Sequence, residues 1–134
     1  MTSHDAAPLS RADLDGLAMA LPEVTNDGTP EHPAYAVRGR KFLMWRGPRK
    51  DAVDPETGEP MADVIAIVVP GPEDKEAILQ SGPPWFTTRH FDGYSYVLVR
   101  ERDLADLDLV ELAEVVTDAW ASRAPKGLVN RTLG

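Results

Sequence analysis

The apolar residues of this chain have helical spacing near both of its ends and form continuous runs in its middle. The two helical stripes comprise Leu14, Leu17, Ala18 and Leu21, and then Leu109, Leu112, Ala113, Val116, Ala119 and Trp120. Residues 64–69 and 96–99 are instead unbroken apolar runs, as in strands that are covered on both faces. The pattern therefore predicts a central sheet with helices packed on it, and it predicts that Trp120 is buried.

The short first helix and the last long helix are both preceded by start signals. Ser10 followed by Asp13 forms a capping box for the first helix, and Asp108 followed by Glu111 forms one for the last. Each cap satisfies backbone N–H groups that have no partner inside the helix. We therefore expect these two helix starts to be sharply defined.

Two hairpins are predicted between the helices. Gly39-Arg40 suits a two-residue type II′ turn, which would pair Arg38 with Lys41 and place Leu43 and Trp45 on the face away from Tyr35. The other reversal, at Asp92-Gly93, would join strands at residues 85–88 and 94–100 as a central antiparallel pair. Residues 23–33 and 47–62, which lack an apolar period, are expected to be loops, the second one exposed and mobile.

The predicted element order is α-β-β-β-α-β-β-α, followed by a short C-terminal helix or turn. This order describes a single α+β domain, residues 9–134, with an antiparallel sheet of about five strands. Residues 1–8 are small and polar without periodicity, and we expect them to form a disordered tail.

Composition limits the classes of protein. A chain of 134 residues with 43% hydrophobic content suits one domain with its own core. It has no cysteine, which excludes disulfides, thiol nucleophiles and thiolate zinc sites and favours a reducing compartment such as the cytoplasm. No apolar run approaches the ~20 residues that span a bilayer, so we expect no membrane association.

The net charge is −8, but one segment is basic. Residues 34–50 contain no acid and six cations, namely Arg38, Arg40, Lys41, Arg46, Arg49 and Lys50. Any contact with a polyanion would use this segment. Arg38 and Lys41 would form a like-charged pair at the hairpin tip. Such a pair would either bind an anion, or its side chains would point apart into water and protect a sheet edge from aggregation.

Several short motifs occur in an order that resembles the MmcQ/YjbR family. They are LPEV at residues 21–24, HPAYAVRGRKF at 32–42, HFDGYSYVLVR at 90–100, DAW at 118–120 and APK at 124–126. The resemblance covers about residues 11–130, and Arg89 departs from it where the family commonly has proline. The signature positions here are His32, Gly39, His90, Asp92, Gly93, Tyr94, Arg100, Trp120 and Lys126.

The resemblance implies a secretion-chaperone-like α+β fold. Proteins of this family are often called DNA-binding for their double-wing architecture. The resemblance thus implies that the hairpin around Arg38, Arg40, Lys41 and Arg46 serves as a wing that contacts phosphates.

Signals for catalysis are sparse. The chain lacks a G-x-S-x-G elbow, a phosphate-binding glycine loop and an H-E-x-x-H motif. His90 and Asp92 could hold a metal or form an acid/base pair, with His32 as the further ligand, or His90 could simply fix the turn by bonding to backbone. No cofactor or metal site is expected, and a small-molecule enzyme ranks third among the functional classes.

Two binding functions rank above an enzyme. One is DNA binding through the basic hairpin, which the net charge of −8 weakens. Aromatic residues between 85 and 96 could add a base-stacking platform, although core packing explains them as well. The other function is a protein or peptide-binding module with Leu43 and Trp45 as apolar contacts. The oligomeric state is not predicted.

Overall fold

A five-stranded antiparallel sheet forms the centre of the computed structural model, which describes residues 8–91 and 93–134 and, of His90, the backbone only. The strands lie in chain order across the sheet. They are β1 (Val24–Asn26), β2 (Ala34–Val37), β3 (Arg40–Arg46), β4 (Val64–Val68) and β5 (Tyr96–Arg100). The predicted α+β class and the antiparallel sheet of about five strands are confirmed.

Four α-helices accompany the sheet, namely α1 (Arg11–Met19), α2 (Pro72–Gln80), α3 (Leu109–Arg123) and α4 (Lys126–Leu133). The predicted helix starts are confirmed. The Ser10 backbone N–H donates to Asp13 Oδ2 at 2.8 Å. At the start of α3, the Glu111 N–H donates to Asp108 Oδ1 at 2.7 Å. Local capping chemistry therefore defines where α1 and α3 begin.

The helix-covered face of the sheet carries the main core. Its sheet residues include Phe42, Leu43, Ile65, Ile67, Val97 and Val99, and its helix residues include Leu14, Leu112, Val116 and Trp120. Trp120 is fully buried, as predicted, and its Nε1–H donates to the Pro22 carbonyl at 3.0 Å. The indole thereby joins α3 to the segment that follows α1.

The opposite face of the sheet, which we call the loop face, carries a second apolar cluster. Its buried members are Ala52, Val64, Ala66 and Leu98, and its partly buried members include Met44, Met61, Phe86, Phe91 and Tyr96. The two continuous apolar runs are thus covered on both sides, as predicted. Loops and not helices supply the second cover.

Two strand predictions were wrong in position. Residues 24–26, expected to be a loop, form β1 by pairing with β2 through Val24 opposite Val37. In contrast, residues 85–88 make only one bridge, in which Phe86 and Leu98 exchange backbone hydrogen bonds at 2.9 Å in each direction. Both elements are short, so the neighbouring strand, and not local propensity, decides whether they pair.

The predicted turn of the first hairpin is also corrected. The two turn residues are Arg38 and Gly39, with φ of 51° and 80°, and Val37 pairs with Arg40. Positive φ at both turn residues matches the twist of a hairpin, and glycine adopts it without strain. Lys41 therefore lies opposite Ala36, and the like-charged pair of Arg38 and Lys41 does not form.

A register shift after this turn sets the faces of β3. Tyr35 pairs with Leu43, so Leu43 and Trp45 join Tyr35 in the helix-side core while Met44 packs on the loop face. Leu43 is 0% exposed and Trp45 is 5% exposed. The prediction that these two side chains offer apolar contacts to a peptide is therefore wrong.

Residues 47–62, predicted to be an exposed and mobile loop, are mostly exposed, but they are also attached to the loop face. Val53 and Pro60 form a bridge, and Ala52 and Asp54 are buried. The Met61 N–H donates to the Ala52 carbonyl at 2.8 Å. The sequence pattern does not predict this attachment, because the attachment depends on individual buried residues and ion pairs and not on an apolar period.

Across residues 8–91 and 93–134, none of the helices has the length and apolar character required to cross a membrane. The predicted disordered tail, residues 1–8, lies outside the described residues except for Pro8.

Candidate functional site

The six predicted phosphate-binding cations do not form one exposed group. Arg38 donates from Nε and Nη2, which lie on one edge of its guanidinium, to the two carboxylate oxygens of Glu23 at 2.6 and 3.0 Å, and this hydrogen bonding lowers the pKa of Glu23. Arg40 donates to the Arg123 carbonyl at 3.1 Å. Arg46 is buried. Lys41, Arg49 and Lys50 are exposed, as are Arg38 and Arg40 themselves.

Arg46 lies on the loop face at the end of β3. Its Nη1 donates to Asp51 Oδ2 at 2.8 Å, and the same oxygen accepts from Thr88 Oγ1 at 2.8 Å. The guanidinium also lies over the Phe91 ring, 5.5 Å from its centroid. The hydrogen bond from Arg46 lowers the pKa of Asp51, so this carboxylate is held in its charged form.

Arg100, one of the signature positions, lies in the same row of the sheet. Val64 pairs with Arg46 on one side and with Arg100 on the other. Arg100 donates to Asp54 Oδ2 and to Asp63 Oδ1, each at 2.8 Å. Together the two arginines bind three acids in residues 51–63, which explains why this segment is attached to the sheet.

A small cavity adjoins Arg46 on the loop face. Its volume is about 210 Å³. It is lined by Met44, Arg46, Arg49, Ala66, Phe91 and Tyr96. Two cations and two aromatic rings therefore line one partly open cavity.

A larger groove of about 450 Å³ lies between α2 and α3, away from the loop face. Its apolar lining includes Val69, Ile78, Trp85, Val110 and Val115. Its acidic lining comprises Asp74, Asp108, Glu111, Glu114 and Asp118. Among the described residues that line it, none is lysine or arginine. We call this site the acidic groove.

The carboxylates of the acidic groove repel one another. Asp118 has a raised pKa, first because burial disfavours its charged form and second because Asp74 carries the same charge nearby. Trp85 is 5% exposed at the base of the groove, and its Nε1–H lies 3.4 Å from Glu111 Oε2. The groove thus combines an apolar floor with five carboxylates.

Replacing Asp118 with asparagine should stabilise the protein at neutral pH. The pKa of Asp118 is higher in the folded protein than in the unfolded chain, where it is about 3.8. The protonated carboxyl therefore stabilises the fold fully below pH 3.8, and this stabilisation is lost as the pH rises through the pKa of the folded state. Asp118→Asn should therefore raise the melting temperature at pH 7 and lose this advantage below pH 3.8. Thermal denaturation across this pH range is the measurement. Asp27→Asn, which removes an equal charge outside the groove, is the control; an equal gain in both variants would contradict the prediction.

The signature residues are spread over the structure. His32 is exposed before β2, Gly39 is in the first hairpin turn, and Gly93 is in an exposed turn beside Tyr94, which is 61% exposed. Lys126 is exposed at the first residue of α4. The signature residues whose side chains the structure describes do not converge on one site.

The alternative roles of His90 lie outside the described residues, because its side chain and the whole of Asp92 are not described. In the part of the chain that the structure describes, no group of three or more His, Asp or Glu side chains is placed to hold a metal ion.

The aromatic residues between 85 and 96 pack mainly into the protein. Trp85 belongs to the helix-side core. Phe91 and Tyr96 meet edge to face, 5.8 Å between ring centroids, in the loop-face cluster. This arrangement favours core packing over an exposed platform for stacking bases.

Two uncharacterized mycobacterial proteins resemble this chain along most of their length. Uncharacterized protein Rv2570 of Mycobacterium tuberculosis is 38% identical over 101 residues, which cover 71% of this chain and 76% of the relative. Uncharacterized protein Mb2600 of Mycobacterium bovis matches with the same identity, 38% over 101 residues. This chain belongs to their family. No protein-family model matches the chain, and no solved structure matches it.

The names of these family members state no activity, so inference about this member starts from its geometry. Sequence reasoning had not identified the acidic groove or the cavity beside Arg46. Asp108 and Glu111 had been assigned to helix capping, and Arg46 had been counted among the cations that contact phosphates. The high acid content of α2 and α3 was the feature of the sequence that could have indicated the acidic groove.

Proposed function

We propose that this protein is a non-enzymatic binding module of the MmcQ/YjbR type that acts in the cytoplasm and holds a basic, amphipathic segment of a partner protein. The acidic groove carries the proposal. It offers an apolar floor of helix and strand residues beside five carboxylates. A lysine-rich amphipathic helix has the complementary arrangement, with an apolar face and a basic face.

The exposed apolar residues at the start of α3 support a protein partner. Leu109 is 53% exposed and Val110 is 70% exposed, and both line a second, shallower surface that continues from the groove past Ala113. Leu109 had been predicted to face the core, and this prediction was wrong. Large apolar side chains exposed beside a groove are typical of a contact surface.

Electrostatics supports the same class of partner. Asp74 and Asp118 lie close enough for the charge of one to raise the pKa of the other. Cationic side chains placed between them would relieve this repulsion. The net charge of −8 would also attract a basic segment from a distance and increase its association rate at low salt.

Titration with designed peptides tests the proposal. A helical peptide with leucines on one face and lysines on the other should bind with an affinity at least about tenfold above that of its glutamate counterpart. Isothermal titration calorimetry at two salt concentrations measures both affinities. Val110→Ser should weaken binding, while the control Leu133→Ser, an exposed position on α4, should not. Equal binding of the two peptides, or equal affinity of both variants, would refute a role for the groove.

Duplex DNA is the second candidate partner, and we expect it to bind weakly or not at all. Five cations of the basic segment are exposed, but Arg38 is bound to Glu23 and Arg40 to the Arg123 carbonyl, which leaves Lys41, Arg49 and Lys50 for phosphate contacts. Lys41 lies near the start of β3, whereas Arg49 and Lys50 follow its end. Three phosphate contacts would give a slope of log K against log salt of about −2.7.

A fluorescence titration of labelled duplex over a salt series measures this slope. Tight, salt-dependent binding that is lost when Lys41, Arg49 and Lys50 are changed to glutamate would make DNA the leading partner. Affinity weaker than the usual non-specific range of ~10⁻⁴–10⁻⁶ M agrees with the expectation. A triple variant of Arg102, Lys126 and Arg131 to glutamate, which makes the same change in total charge at exposed positions outside the basic segment, is the control.

A further inference from the structure

The guanidinium of Arg46 is buried, and the N–H donors on its Nε and Nη2 atoms are unused within the described part of the chain. The residue is only 7% exposed. Nη1 is bound to Asp51, but within the described residues Nε and Nη2 are buried and have no hydrogen-bond partner. Native proteins rarely leave charged donors in this condition, because an unpaired buried donor keeps its desolvation penalty. A missing acceptor is the simplest explanation.

The unused donors have a defined geometry. Nε and Nη2 lie on the same edge of the guanidinium, and this edge can donate two parallel hydrogen bonds to the two oxygens of one carboxylate. Asp51 occupies the remaining nitrogen, Nη1. Arg46 is thus held by a protein carboxylate on one side and offers a bidentate fork on the other.

The adjoining cavity fits a small organic acid. Its volume of about 210 Å³ is below the roughly 300–1,000 Å³ typical of pockets for drug-sized ligands. Apart from Arg46 and Arg49, it is lined by Met44, Ala66 and two aromatic rings, so its walls are mostly apolar. Phosphate, which has no apolar part, would leave these walls uncovered.

We propose that the cavity beside Arg46 binds a small carboxylate with a flat apolar body, the carboxylate on Nε and Nη2 of Arg46 and the body against the cavity wall that Phe91 and Tyr96 form. Arg49 is exposed and Met44 is half-buried. Both are long and flexible, and a rotamer change in either would open the way to the buried fork. Arg49 would add a second positive charge at the entrance. The site lies on the loop face and does not depend on the acidic groove.

Benzoate is the probe, with benzamide as its neutral counterpart of equal shape and inorganic phosphate as an anion without an apolar body. We expect saturable benzoate binding that shifts the NMR signals of the Met44 methyl group and the Phe91 and Tyr96 rings. Benzoate should also raise the melting temperature, because it binds only the folded protein. Benzamide and phosphate should bind at least about tenfold more weakly than benzoate.

Three variants test the residues involved. Arg46→Lys keeps the charge but loses the planar fork, and it should weaken benzoate binding by about tenfold or more. Arg49→Gln changes an exposed side chain, so the fold should be retained and benzoate affinity should fall several-fold even if Arg46→Lys is unstable. Lys50→Gln removes the neighbouring charge that does not line the cavity, and its affinity should match the wild type.

Three results would overturn the proposal. They are no benzoate binding at millimolar concentrations, equal affinity for benzoate and benzamide, and unchanged benzoate affinity in Arg49→Gln. A preference for phosphate over benzoate would also overturn it, because the apolar walls would then have no role. If Arg46 served only to anchor residues 47–62 through Asp51, Arg46→Lys would change the melting temperature. Benzoate would then shift the melting temperature of neither the wild type nor the variant.

Discussion

Trp120→Ala should lower the free energy of unfolding by about 3–5 kcal/mol. The indole is fully buried among the residues of the helix-side core. Its removal leaves a large cavity beneath α3 and also deprives the Pro22 carbonyl of the donor that lies 3.0 Å away. Urea denaturation followed by circular dichroism measures the loss, provided that the slope of the transition stays unchanged.

Trp120→Phe separates the two contributions. Phenylalanine keeps most of the buried apolar area but cannot donate to Pro22, so its cost should be clearly smaller than that of alanine. If Trp120→Ala unfolded at nearly the same urea concentration as the wild type, α3 would not pack on the sheet through this face.

Leu98→Ala should cost about 2–4 kcal/mol, which is the second large effect that we expect. Leu98 is 0% exposed and belongs to the loop-face cluster with Ala52, Val64 and Ala66. Its backbone also exchanges two hydrogen bonds with Phe86, so the surroundings are fixed on that side and should collapse little around the missing side chain. The same urea titration measures this effect.

Leu133→Ala is the matched control for Leu98→Ala. Leu133 is 52% exposed at the end of α4, and the same truncation there should change the free energy of unfolding by about 0.5 kcal/mol or less. Equal costs at the two positions would mean that the loops do not form a packed second layer. A large difference would establish that both faces of the sheet are covered in solution.

The proposals assign different roles to the two sides of the protein. The acidic groove, between α2 and α3, would bind a basic protein segment, and the cavity beside Arg46, on the loop face, would bind a small carboxylate. Between them lies the sheet, whose β4 is buried along its whole length. A shift in peptide affinity caused by benzoate would indicate coupling between the sites, which neither proposal requires.

Arg100 illustrates how a recognisable motif differs from a binding site. It ends the segment at residues 90–100 that most resembles the MmcQ/YjbR signature, and its donors are used by Asp54 and Asp63. These contacts attach residues 47–62 to the sheet. We therefore expect this position to serve the fold, whatever the protein binds.

The sequence by itself determined the α+β class, the starts of α1 and α3, the burial of Trp120 and the two-sided cover of the apolar runs. These features follow from local periodicity and capping, which involve residues within a few positions of each other. The five-stranded antiparallel sheet was also predictable, because the alternation of turn signals and β-rich runs limits the possible topologies.

The tertiary structure decided the positions of the short strands, the hairpin register and the candidate sites. β1 exists because β2 offers it a partner, and the turn at Arg38-Gly39 with the register shift that follows places Leu43 and Trp45 inside. A change of one residue in register exchanges the two faces of a strand, and periodicity alone does not resolve such a change.

The candidate sites depended on contacts between residues far apart in the chain. Arg46 could be classed as buried only once Asp51, Phe91 and Tyr96 were known to surround it. The acidic groove likewise required α2 and α3 to lie side by side, so that Asp74 raises the pKa of Asp118 across 44 positions of the sequence. Charge counted along the chain shows how many acids and bases there are, and only the fold determines which of them meet.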